Sequence, residues 1–119
     1  MLNSKEILEI AVRAADSKRA EDIIALDVRE VSLLADYFVV MQGGSKRQMD
    51  AILEEIMEKE EDAGITVKRV EGKNSDKWVL LDLGDVVVNI FNPEERAYYN
   101  LEKLWANAEN VDLTAWIEA

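Results

Sequence analysis

The segment that decides the fold reads Asp76-Lys-Trp-Val-Leu-Leu-Asp-Leu-Gly-Asp-Val-Val-Val-Asn-Ile-Phe91, and Asn92-Pro-Glu-Glu-Arg-Ala-Tyr-Tyr-Asn-Leu-Glu-Lys-Leu-Trp105 follows it directly. Two runs rich in β-branched and aromatic residues flank a two-residue turn that begins with Gly84, which is typical of a β-hairpin. The segment therefore predicts strands at Trp78–Leu83 and Val86–Phe91.

A helix is predicted immediately after the hairpin. Asn92 is a favoured cap residue, Pro93 suits the first helical turn, and two glutamates lie near the positive end of the helix. Its expected apolar stripe consists of Tyr98, Leu101, Leu104 and Trp105.

Two further helices are predicted from apolar residues at helical spacing. The first is capped by Asn3 or Ser4. The second begins at Ser45, which has capping-box spacing with Gln48, and ends at Gly64. Its inner stripe is expected to be Met49, Ile52, Leu53, Ile56 and Met57, and its solvent-facing or marginal residues are expected to be Glu54, Glu55, Glu58, Lys59 and Glu60.

The fold class follows from these elements. Further strands are expected at 22–28, 36–42 and 65–71, with a turn at 31–34 between the first two. A chain of 119 residues with 49% hydrophobic residues is large enough for one core. We predict a single α/β domain over residues 1–105, with a mixed sheet of about five strands and packed helices, and an acidic C-terminal tail over 106–119.

The composition restricts the environment and the partners. The chain has no cysteine, no apolar run near the ~20 residues of a membrane span, and no secretory pattern at its start, so a soluble cytoplasmic protein is expected. Twenty-five acidic against 14 basic residues give a net charge of −11. Because the basic residues are scattered, little direct nucleic-acid binding is expected. The charge either favours docking on a basic protein or only maintains solubility.

Catalytic chemistry has few candidates. Without histidine and cysteine, neither the common nucleophile systems nor Cys/His zinc sites are available. Gly43-Gly44-Ser45 lies between a strand and a helix, where phosphate binding is possible, but a turn and a helix cap are the favoured explanation. The following strand lacks the paired carboxylates of a nucleotidyltransferase. We expect no catalytic residue, no metal and no cofactor.

Polar residues around the hairpin are the candidates for binding. Asp82 shares a strand face with Trp78, so its carboxylate faces solvent or a partner, whereas Asp85 is an ordinary turn residue. Asp82 and Asp85 could be turn and surface residues without chemistry or contacts to a partner, and a metal site is the least favoured of the three roles. Asn89 is either a core-edge residue bonded to backbone or an interface residue. Arg96 and Tyr99 point off the predicted helical stripe and suit partner contact or, for the arginine, a salt bridge to Glu95 or Glu102.

Several separated motifs resemble the RsfS/Iojap family of ribosomal silencing factors. They include Ala35-Asp-Tyr-Phe-Val-Val40, Ser45-Lys-Arg-Gln48, Trp78-Val-Leu-Leu-Asp-Leu-Gly-Asp-Val-Val-Val88 and Glu95-Arg-Ala-Tyr-Tyr-Asn-Leu-Glu-Lys-Leu-Trp105. Two positions depart from the family pattern: Leu83 replaces a usual aromatic residue and Asn89 a usual histidine. If the family histidine has a chemical role, this chain lacks it. If the histidine serves packing or docking, Asn89 can take its place.

The resemblance implies a fold like a reduced nucleotidyltransferase and an action without catalysis. Family members bind the large ribosomal subunit through its ribosomal protein fourteen and obstruct joining of the small subunit, and organelle relatives assist large-subunit assembly. By resemblance, the same partner is expected here, and an exposed hairpin or helix leaves room for a homodimer of the free chain. The predicted partner-binding residues are Trp78, Leu80, Asp82, Asp85, Asn89, Glu95, Arg96 and Tyr99.

Two other functions remain open from the residues. The first is a small magnesium-dependent nucleotidyltransferase, which would bind nucleotide through Ser45 and Asp82. The second is an acidic protein-binding module unrelated to ribosomes. Residues alone lead to an acidic α/β domain that binds a protein, and the resemblance leads further, to a silencing factor.

Overall fold

The computed structural model describes residues 2–104 and 106–117, without the side chain of Leu104. The elements in chain order are α1 (Ser4–Ser17), β1 (Glu21–Asp27), β2 (Tyr37–Gln42), α2 (Lys46–Asp62), β3 (Arg69–Glu71), β4 (Trp78–Asp82), β5 (Val86–Phe91), α3 (Pro93–Tyr99), α4 (Leu101–Leu104) and β6 (Glu109–Asn110). The six strands form one sheet in the order β3-β4-β5-β2-β1-β6. Strands β2 and β5 pair in parallel and the other pairs are antiparallel. The predicted α/β class with a mixed sheet is confirmed.

One face of the sheet is covered by α1 and α2. Alternate side chains of the central strands join the buried residues of both helices in a single apolar core, which includes Val39, Met41, Leu81, Val88 and Ile90. Such alternation is required when one face of a strand is buried. On the opposite face α3 packs against β5, and Val40, Asn89 and Phe91 are buried there.

The starts of α1 and α2 follow the predicted capping patterns. Asn3 caps α1: its side chain accepts a hydrogen bond from the Glu6 N–H, and the Glu6 carboxylate accepts one from the Asn3 N–H. Ser45 caps α2 by accepting from the Gln48 N–H at 3.1 Å. In the reciprocal bond, the N–H of Gly44, and not that of Ser45, donates to the Gln48 side-chain oxygen.

The expectation that Glu60 faces solvent is wrong. The residue is fully buried, because it lies one turn after Ile56 on the same face of α2. Neither carboxylate oxygen has a hydrogen-bond partner within the described residues. Burial disfavours the charged form and raises the pKa of Glu60 to about 8.

The predicted last helix is two short helices. Asn100 adopts a left-handed conformation, with φ 47° and ψ 54°, and separates α3 from α4. Tyr98, which the sequence predicts in the core, is 80% exposed, because the predicted apolar stripe does not continue across the break at Asn100. Leu101 is half-buried. The predicted core position of Trp105 lies outside the described residues.

The two edges of the sheet also differ from the prediction. Strand β3 spans Arg69–Glu71, shorter than the expected 65–71. At the other edge, Glu109–Asn110 pairs with β1 and was not predicted. Within the segment 106–117 that the structure describes, Leu113 is buried in the core. This part of the expected tail therefore packs on the domain.

None of the described helices combines the length and the apolar character that a membrane span needs.

Candidate protein-binding site

The two faces of the β4–β5 hairpin have different burial. Val79 and Leu81 on β4 are fully buried against the helices, whereas Trp78, Leu80 and Asp82 between them are only half-buried. We call the outward row the hairpin face; it consists of Trp78, Leu80 and Asp82 on β4 and Val87, Asn89 and Phe91 on β5.

The register places these six residues in three cross-strand pairs. Trp78 is opposite Phe91, Leu80 is opposite Asn89, and Asp82 is opposite Val87. The hairpin face thus grades from aromatic at one end to acidic at the turn. Directly opposed side chains in an antiparallel pair contact each other, so the two strands position one continuous surface.

Aromatic rings form the first end of the hairpin face. The Trp78 ring stacks on Phe91 with 5.1 Å between centroids, and Tyr99 of α3 packs on Trp78 at 4.9 Å. Tyr98 meets the edge of Tyr99 at 5.2 Å. Phe91 is buried while Trp78 and Tyr99 remain accessible, so the cluster is a rigid apolar platform with an exposed rim.

Asn89 holds Trp78 in place from below. Its side-chain Oδ1 accepts a hydrogen bond from Trp78 Nε1 at 3.0 Å, and its Nδ2 donates to the Val39 carbonyl at 3.3 Å. The residue is fully buried. Of the two roles left open by the sequence, the structure has the buried, hydrogen-bonded one, with Trp78 as an additional partner. Asn89 is therefore a positioning residue, and direct partner contact would require the face to open.

Arg96 ties α3 to the sheet. Its Nε donates to the Glu102 carboxylate at 2.9 Å and its Nη1 to the Gln42 side chain at 3.3 Å. The expected salt bridge is confirmed, with Glu102 as the partner. Because Arg96 is only 8% exposed, it offers a partner little surface and instead fixes the helix that carries Tyr99.

The hairpin turn forms the acidic end. The Asp82 carboxylate accepts from Gly84 N at 2.8 Å and lies 3.6 Å from Arg69 Nε. Gly84 has φ +94°, as the first position of the predicted turn requires, and Leu83 N donates to Val86 O. Asp85 is exposed. Asp82 thus stabilises the turn and still presents charge at the surface.

The start of α3 is anchored beside β4. The Asn92 side chain accepts from Glu95 N at 2.8 Å and donates to the Asp76 carbonyl at 2.9 Å. The backbone N–H of Asn92 donates to the Lys77 carbonyl. This arrangement places the half-buried Glu95 one turn before Tyr99 on the same helix, next to the hairpin.

The Gly-Gly-Ser turn is used by the fold itself. Gly43 N donates to Phe91 O and Gly44 N donates to the Gln48 side chain, so these donors are not free for a phosphate. A Cβ at Gly43 would approach Met49 within 3.1 Å, which explains the glycine by packing. Within residues 2–104 and 106–117 no group of three or more acidic side chains is placed to hold a metal ion.

The sequence analysis did not predict the burial of Leu83 or the exposure of Leu33 and Leu34. Leu83 is buried beside the turn and belongs to the hydrophobic core. Leu33 and Leu34 are exposed in the loop between β1 and β2, a segment predicted only as a turn. Two adjacent leucines in a turn were the signal that could have identified them.

Comparison with known proteins decides the family. The model of the family "Ribosomal silencing factor during starvation" matches residues 1–119. The chain belongs to this family. The resemblance drawn from the motifs is thereby confirmed.

Family relatives include proteins of bacteria and of mitochondria. The ribosomal silencing factor RsfS of Bacillus subtilis is 54% identical over 94% of this chain and 95% of its own length. A crystal structure from Chromobacterium violaceum has a TM-score of 0.86 and 36% identity, covering 88% of each chain. A mouse protein, "Mitochondrial assembly of ribosomal large subunit protein 1", is 29% identical over 99% of this chain, which spans about half (53%) of its length.

Proposed function

We propose that this chain binds the large ribosomal subunit through the hairpin face and thereby prevents the small subunit from joining. The partner is a basic protein of the subunit interface, namely large-subunit ribosomal protein fourteen. The action is occupancy of a surface in the cytoplasm and needs no catalytic step. The family and the names of its members support a ribosomal partner.

The observation that carries the proposal is the construction of the hairpin face. A tryptophan that is stacked, hydrogen-bonded and still accessible loses little conformational entropy when a partner covers it. Buried aromatic anchors supply much of the energy of protein interfaces. Leu80, beside Trp78 on the same face, extends the apolar centre.

Charge supports a basic partner. Asp82 and the exposed Asp85 lie at the turn end of the face, and the chain as a whole has a net charge of −11. Complementary charges accelerate encounter and fix orientation. The same charge repels the phosphates of ribosomal RNA, which favours docking on a protein.

The eight predicted site residues separate into two roles. Those with accessible side chains, proposed as direct contacts, are Trp78, Leu80, Asp82, Asp85, Glu95 and Tyr99. Asn89 and Arg96 are buried and are proposed to position Trp78 and α3. A variant at a contact position should weaken binding with at most a small loss of stability, whereas a variant at a positioning residue should lower both.

The test is gradient sedimentation with separated ribosomal subunits. The wild-type chain should migrate with the large subunit and should reduce the yield of joined particles when the small subunit is added. The variant Asp82→Asn/Asp85→Asn removes two charges but keeps an oxygen that can accept from Gly84 N, so it should fold normally. We expect roughly tenfold weaker binding, about 1.4 kcal/mol, at low salt.

The controls lie on the helical surface. Glu54→Gln/Glu58→Gln removes two exposed charges of α2 and should leave binding unchanged. Absence of the wild-type chain from the large-subunit fraction, even at low salt, would contradict the proposed function and favour an acidic module unrelated to ribosomes. If both double variants weaken large-subunit binding equally, the turn carboxylates contribute only through the net charge of the chain and not through a specific contact.

A role in large-subunit assembly is the second candidate. It is favoured by the mouse relative, whose name refers to assembly of the large ribosomal subunit. Deleting the gene should then lead to accumulation of incomplete large subunits during rapid growth, when silencing of mature subunits is not needed.

A further inference from the structure

The loop between β1 and β2 exposes apolar side chains at one end of the sheet. Leu33 is 104% and Leu34 is 89% exposed, and Val31 beside them is 48% exposed. Single exposed leucines are common on protein surfaces, but three neighbouring apolar side chains in one loop form a patch typical of binding sites.

The loop has a defined conformation. Val31 N and Ser32 N both donate to the Val28 carbonyl, at 3.1 and 2.8 Å. Leu34 N donates to the Ser32 hydroxyl at 3.1 Å. These bonds hold the backbone of a turn that carries the two leucines, and their side chains are exposed to solvent.

This loop is joined to the hairpin turn. Asp36 N and Tyr37 N both donate to the carbonyl of Asp85, at 2.8 and 3.1 Å. Strands β2 and β5 are parallel, with Tyr37 opposite Val86, so both strands begin at the same edge of the sheet. The leucines therefore lie at the edge of the sheet where the acidic end of the hairpin face is.

The charge around the patch selects the kind of partner. Arg29 is the only cation between residues 28 and 36, and it already pairs with Asp27 at 2.6 Å. Glu30 and Asp36 lie in the same loop as the leucines, and Asp85 accepts the backbone hydrogen bonds at the end of that loop, so this part of the surface has a net negative charge. Phosphates of RNA or of anionic lipid would be repelled, whereas a protein surface with basic side chains around an apolar pocket would fit.

We propose that Leu33 and Leu34 are a second apolar anchor for the same basic protein that covers the hairpin face. This inference rests on the proposed function and adds a contact outside the family motifs quoted above. The partner would thus cover a continuous surface from Trp78, across the turn, to the β1–β2 loop.

The test compares two double variants at the same positions. Leu33→Ser/Leu34→Ser removes the apolar surface, and Leu33→Met/Leu34→Met keeps it. Because both side chains are exposed, both variants should melt at the wild-type temperature. Titration against purified large subunits should give a Kd at least roughly tenfold higher for the serine variant and within about threefold of wild type for the methionine variant.

The outcomes separate the loop from the hairpin. Unchanged affinity of the serine variant, while the wild-type chain binds, would overturn the anchor and leave the proposed function intact. No binding by the wild-type chain would overturn both. Sedimentation of the free protein tests for self-association. If the wild-type chain is a dimer and the serine variant is a monomer with unchanged affinity for the large subunit, the leucines serve self-association and the proposal is overturned.

Discussion

The two faces of one hairpin differ in burial and in chemistry although their residues alternate along the same strands. Val79, Leu81, Val88 and Ile90 are fully buried under α1 and α2. Between them, Trp78, Leu80 and Asp82 remain half-buried. The inner face is uniformly aliphatic, whereas the outer face combines a stacked aromatic cluster, a buried amide and carboxylates at the turn.

The difference shows what core packing does not explain. A buried face needs only shape and apolar surface. The outer face instead contains a tryptophan held by both stacking and a hydrogen bond, at 3.0 Å from Asn89. A side chain held in this way loses little conformational entropy when a partner covers it, which agrees with the proposed binding surface.

The largest expected effect contrasts neighbouring leucines. Leu81→Ala should lower the free energy of unfolding by about 2–5 kcal/mol, because it leaves a cavity in the core. Leu80→Ala should cost about 1 kcal/mol or less but weaken large-subunit binding roughly tenfold. Urea denaturation and subunit titration measure the two quantities. Equal losses of stability for the two variants would contradict the assignment of the faces.

Glu60 is a buried carboxyl group of α2, one of the two helices that cover the inner face of the hairpin. Folding raises its pKa from the ordinary value of 4.5 to about 8, because burial disfavours the charged form. The stability that it contributes is therefore fully present below pH 4.5 and is lost as the pH rises toward 8. Glu60→Gln should be more stable than wild type at pH 8, by on the order of a few kcal/mol, and similar at pH 4.

Denaturant unfolding of both proteins across this pH range checks the Glu60 prediction. Glu61→Gln, one residue along and exposed, is the matched control and should show no such divergence. A constant stability difference between Glu60→Gln and wild type from pH 4 to 8 would contradict the raised pKa.

A smaller effect is expected at the amide below the tryptophan. Asn89→Ala leaves Trp78 Nε1 and the Val39 carbonyl without their partner, so we expect a loss of roughly 1–3 kcal/mol and weaker subunit binding. The NMR signal of the Trp78 indole N–H should shift toward that of a solvated indole. Asn89→His, the residue usual in the family, provides another acceptor and should retain more of both properties than the alanine variant. An unshifted indole signal in Asn89→Ala would exclude the positioning role.

Much of this architecture was accessible from the sequence because local signals agreed with tertiary packing. The hairpin combined β-rich runs with a glycine at the position that needs positive φ, and the structure has φ +94° there. The caps at Asn3, Ser45 and Asn92 were similarly local. Each of these features is determined by residues within a few positions of one another.

What the sequence did not reveal depended on distant contacts. Glu60 was assigned to the solvent side by its charge, although its spacing from Ile56 placed it on the inner stripe. The helical spacing of Tyr98 predicts a core position, but no neighbouring residue indicates the left-handed break at Asn100 that ends α3. The bond between Trp78 and Asn89 requires two strands in register, which no single-strand pattern contains.

The most direct test of the central claim uses the absence of cysteine in the chain. Asp85→Cys places one thiol at the hairpin turn and Glu58→Cys places one on α2, both at exposed positions. The rate of maleimide modification of each variant is then measured with and without excess large subunits. Binding through the hairpin should slow the reaction at position 85 at least tenfold and leave position 58 unchanged. Protection at position 58 with free reaction at position 85 would contradict the account.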